Sequence, residues 1–400
     1  MTDAPRLARP ALFAALVANA VGQSFLFVVL PGLGRRLGFS DIQTGALLSV
    51  SALLLIVSAP AWGFLSERIG RRPVLLLGLM AASLAPLGFA FVTASRLSDT
   101  LSVSGALALL FLLRLGQAAI AGGIMPAAQA LIADSTGSAR RAQGMGLLGA
   151  AYGIGAILGA GLAWRLGGAE PTLAFGIVAG ACGLGFLAVL LLVPEARRAG
   201  APQQGGSGLA LAELWPHLAI TLLAITAYAM LQQVMSLRLQ DGLRMSPEEA
   251  IGKAGAALMV TSIAMIAVQG IGLRFLKLPP LRLLLLGAAI AVPALCLLAL
   301  APAYLVMLAA LVAFGAALGL MLSGNLAALS LAAGRGAQGK VAGLNALRQG
   351  AGMALGPILG AALHQLSPVA PFWAVVVLLT AILALCLRPA RAAAVPEPTR

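Results

Sequence analysis

Apolar segments long enough to cross a lipid bilayer dominate this sequence. A hydrocarbon core of ~30 Å requires about 20 apolar residues in a helix, and lipid forces such a segment to satisfy its backbone polar groups internally. The chain can be cut into twelve segments of this kind, at 11–31, 46–65, 73–93, 105–133, 142–165, 172–193, 215–238, 253–276, 281–301, 303–333, 340–363 and 370–388. The sequence therefore predicts an all-α membrane protein with twelve transmembrane helices.

The composition excludes several other classes of protein. Apolar residues make up 60% and charged residues 10% of the chain, whereas charged residues make up about 25% of a soluble domain. The net charge of +14 comes from basic residues scattered along the chain and not clustered in a basic stripe, so we expect no nucleic-acid partner. Cys182, Cys296 and Cys386 lie singly in apolar runs without the spacing of metal ligands, so neither a metal nor another cofactor is expected.

The basic residues predict the orientation of the chain in the membrane. With both termini in the cytoplasm, 17 basic residues lie on the cytoplasmic side and 7 on the opposite side. This bias follows the positive-inside rule. The two remaining basic residues, Arg114 and Arg348, fall inside predicted helices, while all 12 acidic residues fall in loops or at helix ends. We therefore expect cytoplasmic termini and a membrane interior that is locally cationic.

An internal repeat divides the chain into two halves. Gly155-Ala-Ile-Leu-Gly-Ala-Gly-Leu162 recurs 201 residues later as Gly356-Pro-Ile-Leu-Gly-Ala-Ala-Leu363, and Leu37-Gly-Phe-Ser40 is echoed by Leu243-Arg-Met-Ser246. A polar stretch at the midpoint predicts a linker. We expect an N-terminal six-helix bundle at 1–193, a cytoplasmic linker at 194–214 and a C-terminal six-helix bundle at 215–400. Two parallel halves with a site between them are typical of transporters.

The predicted loop between helices two and three contains a specific motif. It reads Gly63-Phe-Leu-Ser-Glu-Arg-Ile-Gly-Arg-Arg-Pro-Val-Leu75 and resembles the major facilitator signature Gly-x-Leu-Ala-Asp-Arg-x-Gly-Arg-Arg/Lys-x-x-Leu, with Glu67 in the usual Asp place. The resemblance implies a gate in which Glu67 joins the two halves when the cytoplasmic side is shut, with the start of helix eleven as a partner. The gating residues are Gly63, Glu67, Arg68, Gly70, Arg71 and Arg72. In the alternative interpretation the arginines only anchor the topology.

Two further motifs favour the drug/proton antiporter branch of that superfamily. Arg114 and Gln117 in helix four are similar to the Arg-x-x-Gln-Gly-x-Gly pattern of proton-coupled members, although a glycine precedes the glutamine here. Glycines in helix five are spaced as in the antiporter motif, but the Gly-Pro pair of that motif occurs in helix eleven instead. A helix-packing role is at least as good an explanation for Gly146, Gly155, Gly159, Gly356, Pro357 and Gly360.

Polar side chains inside the predicted spans form the candidate substrate site, because each one is costly in lipid. They are Asn19, Gln23, Arg114, Gln117, Tyr228, Gln232, Gln233, Ser323, Asn325, Asn345, Arg348 and Gln349. In the superfamily that the chain resembles, helices one, four, seven and ten line the cavity. Two arginines without a carboxylate in the spans favour an anionic substrate, and we expect both to line one central cavity. The alternative is that neutral groups satisfy these side chains and the residues join helices.

These features together predict a secondary active transporter of the major facilitator type. We expect it to work by alternating access and to export a small anionic or amphiphilic organic solute across a bacterial inner membrane, as an efflux pump or siderophore exporter. Import of an organic acid is the alternative. The expected partners are the solute and the bilayer, and the expected oligomeric state is a monomer. Protons are a candidate coupling ion. A membrane enzyme is disfavoured because the sequence has no HExxH or GxSxG motif, and a receptor because it lacks a sizeable output domain.

Overall fold

The computed structural model describes residues 7–135, 141–195, 211–333 and 337–387. Within these ranges the chain is helical and contains no strand. Ten helices are long and apolar enough to cross a membrane, and the more polar Gln338–Leu366 and the shorter Ala370–Cys386 complete a set of twelve. The prediction of an all-α fold with twelve membrane-crossing helices is confirmed.

The N-terminal half contains six helices. They are α1 (Ala8–Arg36), α2 (Asp41–Ile69), α3 (Arg71–Leu97), α4 (Val103–Ala121, continued by Ile124–Ser135), α5 (Arg141–Leu162, continued by the π-helical Ala163–Gly167) and α6 (Pro171–Leu192). We call the side where α1 ends the outer side, following the distribution of basic residues, and the opposite side the cytoplasmic side.

The C-terminal half repeats this order. Its helices are α7 (Leu211–Leu243), α8 (Pro247–Ala267, continued by the π-helical Val268–Gly272 and by Leu273–Phe275), α9 (Pro280–Leu300), α10 (Tyr304–Ala333), α11 (Gln338–Leu366) and α12 (Ala370–Cys386). The helix α7 begins four residues before the start of the predicted bundle at 215, and most of the predicted linker, residues 196–210, lies outside the described residues.

Several helices begin earlier than hydropathy predicts, because their first turns are polar. Ser40 caps α2 in a reciprocal capping box, where its hydroxyl accepts from Gln43 N at 3.2 Å and Gln43 Oε1 accepts from Ser40 N at 2.9 Å. Ser246 caps α8 by accepting from Glu249 N at 3.2 Å. The predicted starts at 46 and 253 are therefore wrong by five and six residues.

Glycine pairs fix the packing inside each half in a repeated way. A Cβ at Gly155 would lie 2.3 Å from the Cβ of Ala20 on α1, and a Cβ at Gly356 would lie 2.4 Å from the Cβ of Ala229 on α7. The second glycine of each pair, Gly159 or Gly360, also faces α1 or α7 respectively. The sequence repeat thus corresponds to a repeated contact, α5 on α1 and α11 on α7.

The halves meet closely at the outer side. A Cβ at Gly45 of α2 would lie 2.8 Å from the carbonyl oxygen of Pro357 on α11, and Ser49 Oγ accepts from Ile358 N at 3.0 Å. At a second place on the outer side, the end of α5 meets the start of α8, where a Cβ at Gly168 would lie 2.0 Å from the carbonyl oxygen of Glu248. These contacts join α2 to α11 and α5 to α8.

The same helix faces lose contact toward the cytoplasm. Gly146 lies two turns before Gly153, whose Cβ would touch Ile266 of α8, and Gly343 lies five turns before Ala361, which touches Gly45. A Cβ at Gly146 or Gly343 would meet no heavy atom within 4 Å among the described residues. The described chain is therefore in an inward-facing arrangement, and the predicted packing glycine Gly146 faces open space in it.

Candidate solute pathway and gates

Arg114 is held at the centre of the N-terminal half by three neutral side chains. It is only 2% exposed. Its Nε donates to Ser51 Oγ at 3.1 Å, its Nη1 to Gln117 Oε1 at 2.7 Å, and its Nη2 to Gln23 Oε1 at 2.9 Å. These acceptors come from α2, α4 and α1. A guanidinium has five N–H donors, so two remain after these bonds, and none of the three partners is an acid.

A small cavity adjoins this group. Its lining combines the amides of Asn19, Gln23 and Gln117 with the aromatic rings of Phe89 and Phe175. Asn19 donates from Nδ2 to the hydroxyl of Tyr152 on α5 at 3.3 Å. Its buried Oδ1 has no hydrogen-bond partner among the described residues, and buried acceptors of this kind are rare.

Of the two glutamines predicted on α7, Gln233 contacts the opposite half at the closed outer side. Gln233 is fully buried and donates from Nε2 to Thr44 Oγ1 of α2 at 3.4 Å. The Oε1 atoms of Gln232 and Gln233 and the hydroxyl of Ser236 are buried without partners in the described part of the chain. Tyr228, one turn before Gln232, is half-buried.

A second polar cluster joins helices at the cytoplasmic end of the C-terminal half. Asn325 of α10 donates from Nδ2 to Thr221 Oγ1 and to the carbonyl oxygen of His217, both at 2.9 Å. Thr221 donates to Asn345 Oδ1 of α11 at 2.7 Å, and His217 Nδ1 lies 2.9 Å from Asn325 Oδ1. This cluster satisfies itself and does not contact Arg114. Ser323 is half-buried and makes no hydrogen bond with the described residues.

Arg348 and its neighbour Gln349 are exposed on α11. Arg348 makes no hydrogen bond or ion pair with the described residues. It precedes Leu355 by two turns and Leu359 by three turns, and these leucines are 44% and 42% exposed. The structure thus brings Arg114 together with Gln23 and Gln117, but it places Arg348 on a separate, exposed face.

The loop motif contacts the end of α6. Glu195 accepts from the backbone N–H of Arg71 at 2.9 Å, and from that of Arg72 at 3.4 Å, at the N-terminus of α3. Gly70 has φ +105°, and a Cβ there would lie 2.9 Å from the Glu195 carboxylate. A carboxylate at a helix N-terminus is favourable, and only glycine fits this approach.

The predicted gating acid, Glu67, is exposed and has no partner among the described residues. Around it, Arg71 Nη1 donates to Ser66 Oγ at 2.7 Å, the Arg68 guanidinium lies 4.6 Å from the centre of the Phe64 ring, and Gly63 lies beside Pro126 of α4. The contact of Glu67 with α11 was predicted for a shut cytoplasmic side, and the arrangement seen here is the open one.

At the outer side a charged cluster connects the two halves. Arg35 of α1 holds Asp41 of α2 with two bonds of 2.7 Å, and it holds Asp241 of α7 with two bonds of 2.8 Å. His364 of α11 contacts the same Asp241 carboxylate from Nε2 at 2.8 Å. Arg–carboxylate pairs with two parallel bonds are among the stronger polar contacts. We call these four residues the outer latch.

A second pair crosses between the halves nearby. Arg36 Nη2 lies 3.0 Å from Glu248 Oε1 of α8, and its Nη1 donates to the carbonyl oxygen of Gly168. Sequence reasoning missed both contacts because it treated these charges as loop residues. A signal was present, since Arg35 and Asp241 are 206 residues apart, the same offset as between Leu37 and Leu243. Equivalent positions of two repeats meet near their symmetry axis, where opposite charges attract.

The chain matches the sequence profile of a protein family and is similar to several named proteins. The sequence profile of the Major Facilitator Superfamily matches residues 12–352. The class B tetracycline resistance protein of Escherichia coli is 38% identical over 164 residues, which cover 40% of this chain and 38% of that protein. The class D tetracycline resistance protein of Salmonella ordonez is 30% identical over 235 residues, 56% of each chain. This chain therefore spans roughly half the length, or less, of these curated relatives.

A solved structure has the same fold. The bacterial homolog of the human lysosomal transporter Spinster, in an inward-facing and unoccupied conformation, superposes with a TM-score of 0.76 at 17% identity and covers 95% of both chains. These matches agree with the family that the loop motif indicates.

Proposed function

The chain belongs to the major facilitator superfamily, a family of transporters and not of enzymes, and from that membership we propose that it is a secondary transporter working by alternating access. The observation that carries this proposal is the uneven contact between the halves. At the outer side Gly45 packs closely against Pro357 and Gly168 against Glu248. Toward the cytoplasm Gly146 and Gly343 face open space. A second, outward-facing arrangement would reverse this pattern.

The proposed substrate is a small anionic or amphiphilic organic solute. Arg114 keeps two N–H donors beyond its three neutral partners, and no described residue supplies it with a counter-charge. The nearby Oδ1 of Asn19 needs a donor. A solute with a carboxylate and a hydroxyl group would satisfy both needs, and the rings of Phe89 and Phe175 offer an apolar surface beside them. Siderophores and smaller organic acids both carry these functional groups.

Export is the proposed direction. The relatives are named for resistance to tetracycline, and the glycine spacing of α5 resembles the antiporter motif. We further propose that the protein lies in a bacterial inner membrane and acts as a monomer. Protons stay a candidate coupling ion, although no described acid lies among the polar residues around Arg114.

Transport by purified protein in proteoliposomes tests the proposal. We expect efflux of a hydroxylated organic acid or of a tetracycline to exceed that of a permanently cationic dye by at least about tenfold. That ratio corresponds to ~1.4 kcal/mol of differential binding. Liposomes without protein are the control for leakage. Equal movement of anionic and cationic solutes would remove the anionic preference, and no movement of any solute would contradict the transport function.

A further inference from the structure

The outer latch consists of two pairs, each belonging to one half. Arg35 and Asp41 both lie in the N-terminal half, and Asp241 and His364 both lie in the C-terminal half. If the halves separate at the outer side, each pair stays intact. The contact of the latch that breaks is the pair of hydrogen bonds that Arg35 donates to Asp241.

We propose that the Asp241–His364 pair is a proton-binding site whose protonation from outside releases the outer latch, so that an acidic external medium favours the outward-open state. This inference rests on the alternating access proposed above. It assigns a ligand, the proton, to residues outside the candidate substrate site.

The geometry at Asp241 makes closure and protonation compete. The carboxylate accepts two bonds from Arg35 at 2.8 Å, and these bonds draw their strength from its negative charge. A protonated carboxyl loses that charge and carries an O–H donor that faces the donors of the guanidinium. The closed latch therefore favours the ionised form, and by linkage a bound proton favours the open state. The Asp241 side chain is 36% exposed, so protons reach it from the outer solvent.

His364 acts in the same direction. Its side chain is 2% exposed, and its Nδ1 has no partner among the described residues. The neutral ring can donate from Nε2 to Asp241. A protonated ring would give Asp241 a counter-charge within its own half. Docking of Arg35 on closure would then stabilise the Asp241 carboxylate less. It would also bury a second N–H without an acceptor when the latch shuts.

The other charges that face this pair do not reverse the effect. Asp41 is bound to Arg35 inside the N-terminal half, so its protonation would leave the guanidinium free to hold Asp241. Arg238, one turn before Asp241 on α7, is half-buried and belongs to the same half. The described part of α12, which packs on α11, has no charged residue.

The neighbouring ion pair is a weaker contact between the halves. Glu248 is 60% exposed in its pair with Arg36, and exposed pairs contribute little because solvent screens them. Asp241 and His364 are therefore the groups whose protonation most changes the contact across the outer side.

The latch senses protons without carrying them across the membrane. A proton that binds Asp241 in the outward-open state has to leave before Arg35 can dock again, and it leaves to the side from which it came. A proton carried through an antiport cycle must instead accompany closure of the outer side. The proposed site is therefore a regulator, distinct from any site of proton coupling.

Distances between spin labels on the two halves test this proposal. Ser104→Cys at the start of α4 and Ala303→Cys before α10 place labels at exposed outer positions of opposite halves, after Cys182, Cys296 and Cys386 are replaced by alanine. Electron–electron resonance of the full chain in nanodiscs is recorded from about pH 8 down to about pH 4, so that the range reaches the ordinary titration of a carboxyl group. We expect acidification to raise the fraction of long distances by up to about tenfold per pH unit for one proton.

Variants identify the residues that produce the pH response. Asp241→Asn should give long distances at every pH, and Arg35→Gln should do the same from the other half if the first variant folds poorly. His364→Gln, which retains an N–H donor without titrating near neutral pH, should move the midpoint to lower pH. The matched control is Asp99→Asn, which removes an exposed ion pair with Arg96 inside the N-terminal half and should titrate like the wild type.

Two results would contradict the proposal that protonation releases the outer latch. One is a wild-type distribution that does not change with pH although added substrate changes it, and the other is an unaltered pH response in Asp241→Asn. If neither pH, substrate nor any variant changes the distances, alternating access itself is contradicted. The two proposals can therefore fail separately.

Discussion

At the scale of single residues, Arg114 is the side chain on which the proposed anionic substrate depends most. Replacement by lysine keeps the charge but loses the fork that meets Ser51, Gln117 and Gln23, so we expect the affinity for a carboxylate solute to fall about tenfold. Replacement by alanine leaves those acceptors without a donor and should abolish binding. Arg348→Ala is the comparison, with a smaller loss expected because Arg348 is exposed. Equilibrium binding of the solute in detergent, measured at equal expression of each variant, tests this prediction. Wild-type affinity in both alanine variants would show that the arginines have a structural role.

The sequence could predict one polar cluster and not the other for a physical reason. Arg114 and Gln117 are three residues apart on one helix, so their contact follows from helical geometry. Arg35 and Asp241 are 206 residues apart, and hydropathy treats both only as charges at helix ends. Their contact depends on how two helical bundles dock, which local periodicity does not encode.

At the scale of helices, the carboxylates near the loop motif have separate tasks. Glu195 accepts from the first N–H groups of α3, so Glu195→Gln should lower the free energy of unfolding by about 0.5–1 kcal/mol. Glu67 has no partner among the described residues, so Glu67→Gln should leave stability and substrate affinity unchanged while transport falls. Thermal unfolding and binding, measured beside transport, separate the two. Loss of binding in Glu67→Gln would move that residue into the substrate site.

Hydropathy located the helices well but misplaced their ends. The twelve apolar segments all correspond to helices, because lipid leaves a spanning chain no other way to satisfy its backbone. The starts of α2 and α8 depend on the capping residues Ser40 and Ser246, which are polar and lie outside any apolar window. The break of α4 at Gly122 depends on a close approach to Ser58 of α2, a tertiary contact that the α4 sequence alone does not specify.

At the scale of the whole molecule, two glycines on opposing faces should bias the equilibrium between states in opposite directions. A Cβ at Gly45 would lie 2.8 Å from the backbone of α11 at the closed outer side, whereas a Cβ at Gly343 would meet nothing within 4 Å at the open cytoplasmic side. Gly45→Val should therefore disfavour the inward-facing arrangement, because a bulky side chain forces α2 and α11 apart. Gly343→Val should be harmless in this arrangement and costly in one that shuts the cytoplasmic side.

The spin-label pair at Ser104 and Ala303 measures this bias directly. We expect Gly45→Val to raise the fraction of long outer distances at neutral pH, by about fivefold or more for a clash of ~1 kcal/mol, and Gly343→Val to lower it. Both variants should slow transport, because a cycle needs both states. Their outer distances should still respond to acid, since Arg35, Asp241 and His364 are unchanged. A shift in the same direction for both glycines would mean that α2 and α11 do not separate at one end as they close at the other, and rocking of the two halves would then be the wrong description of this chain.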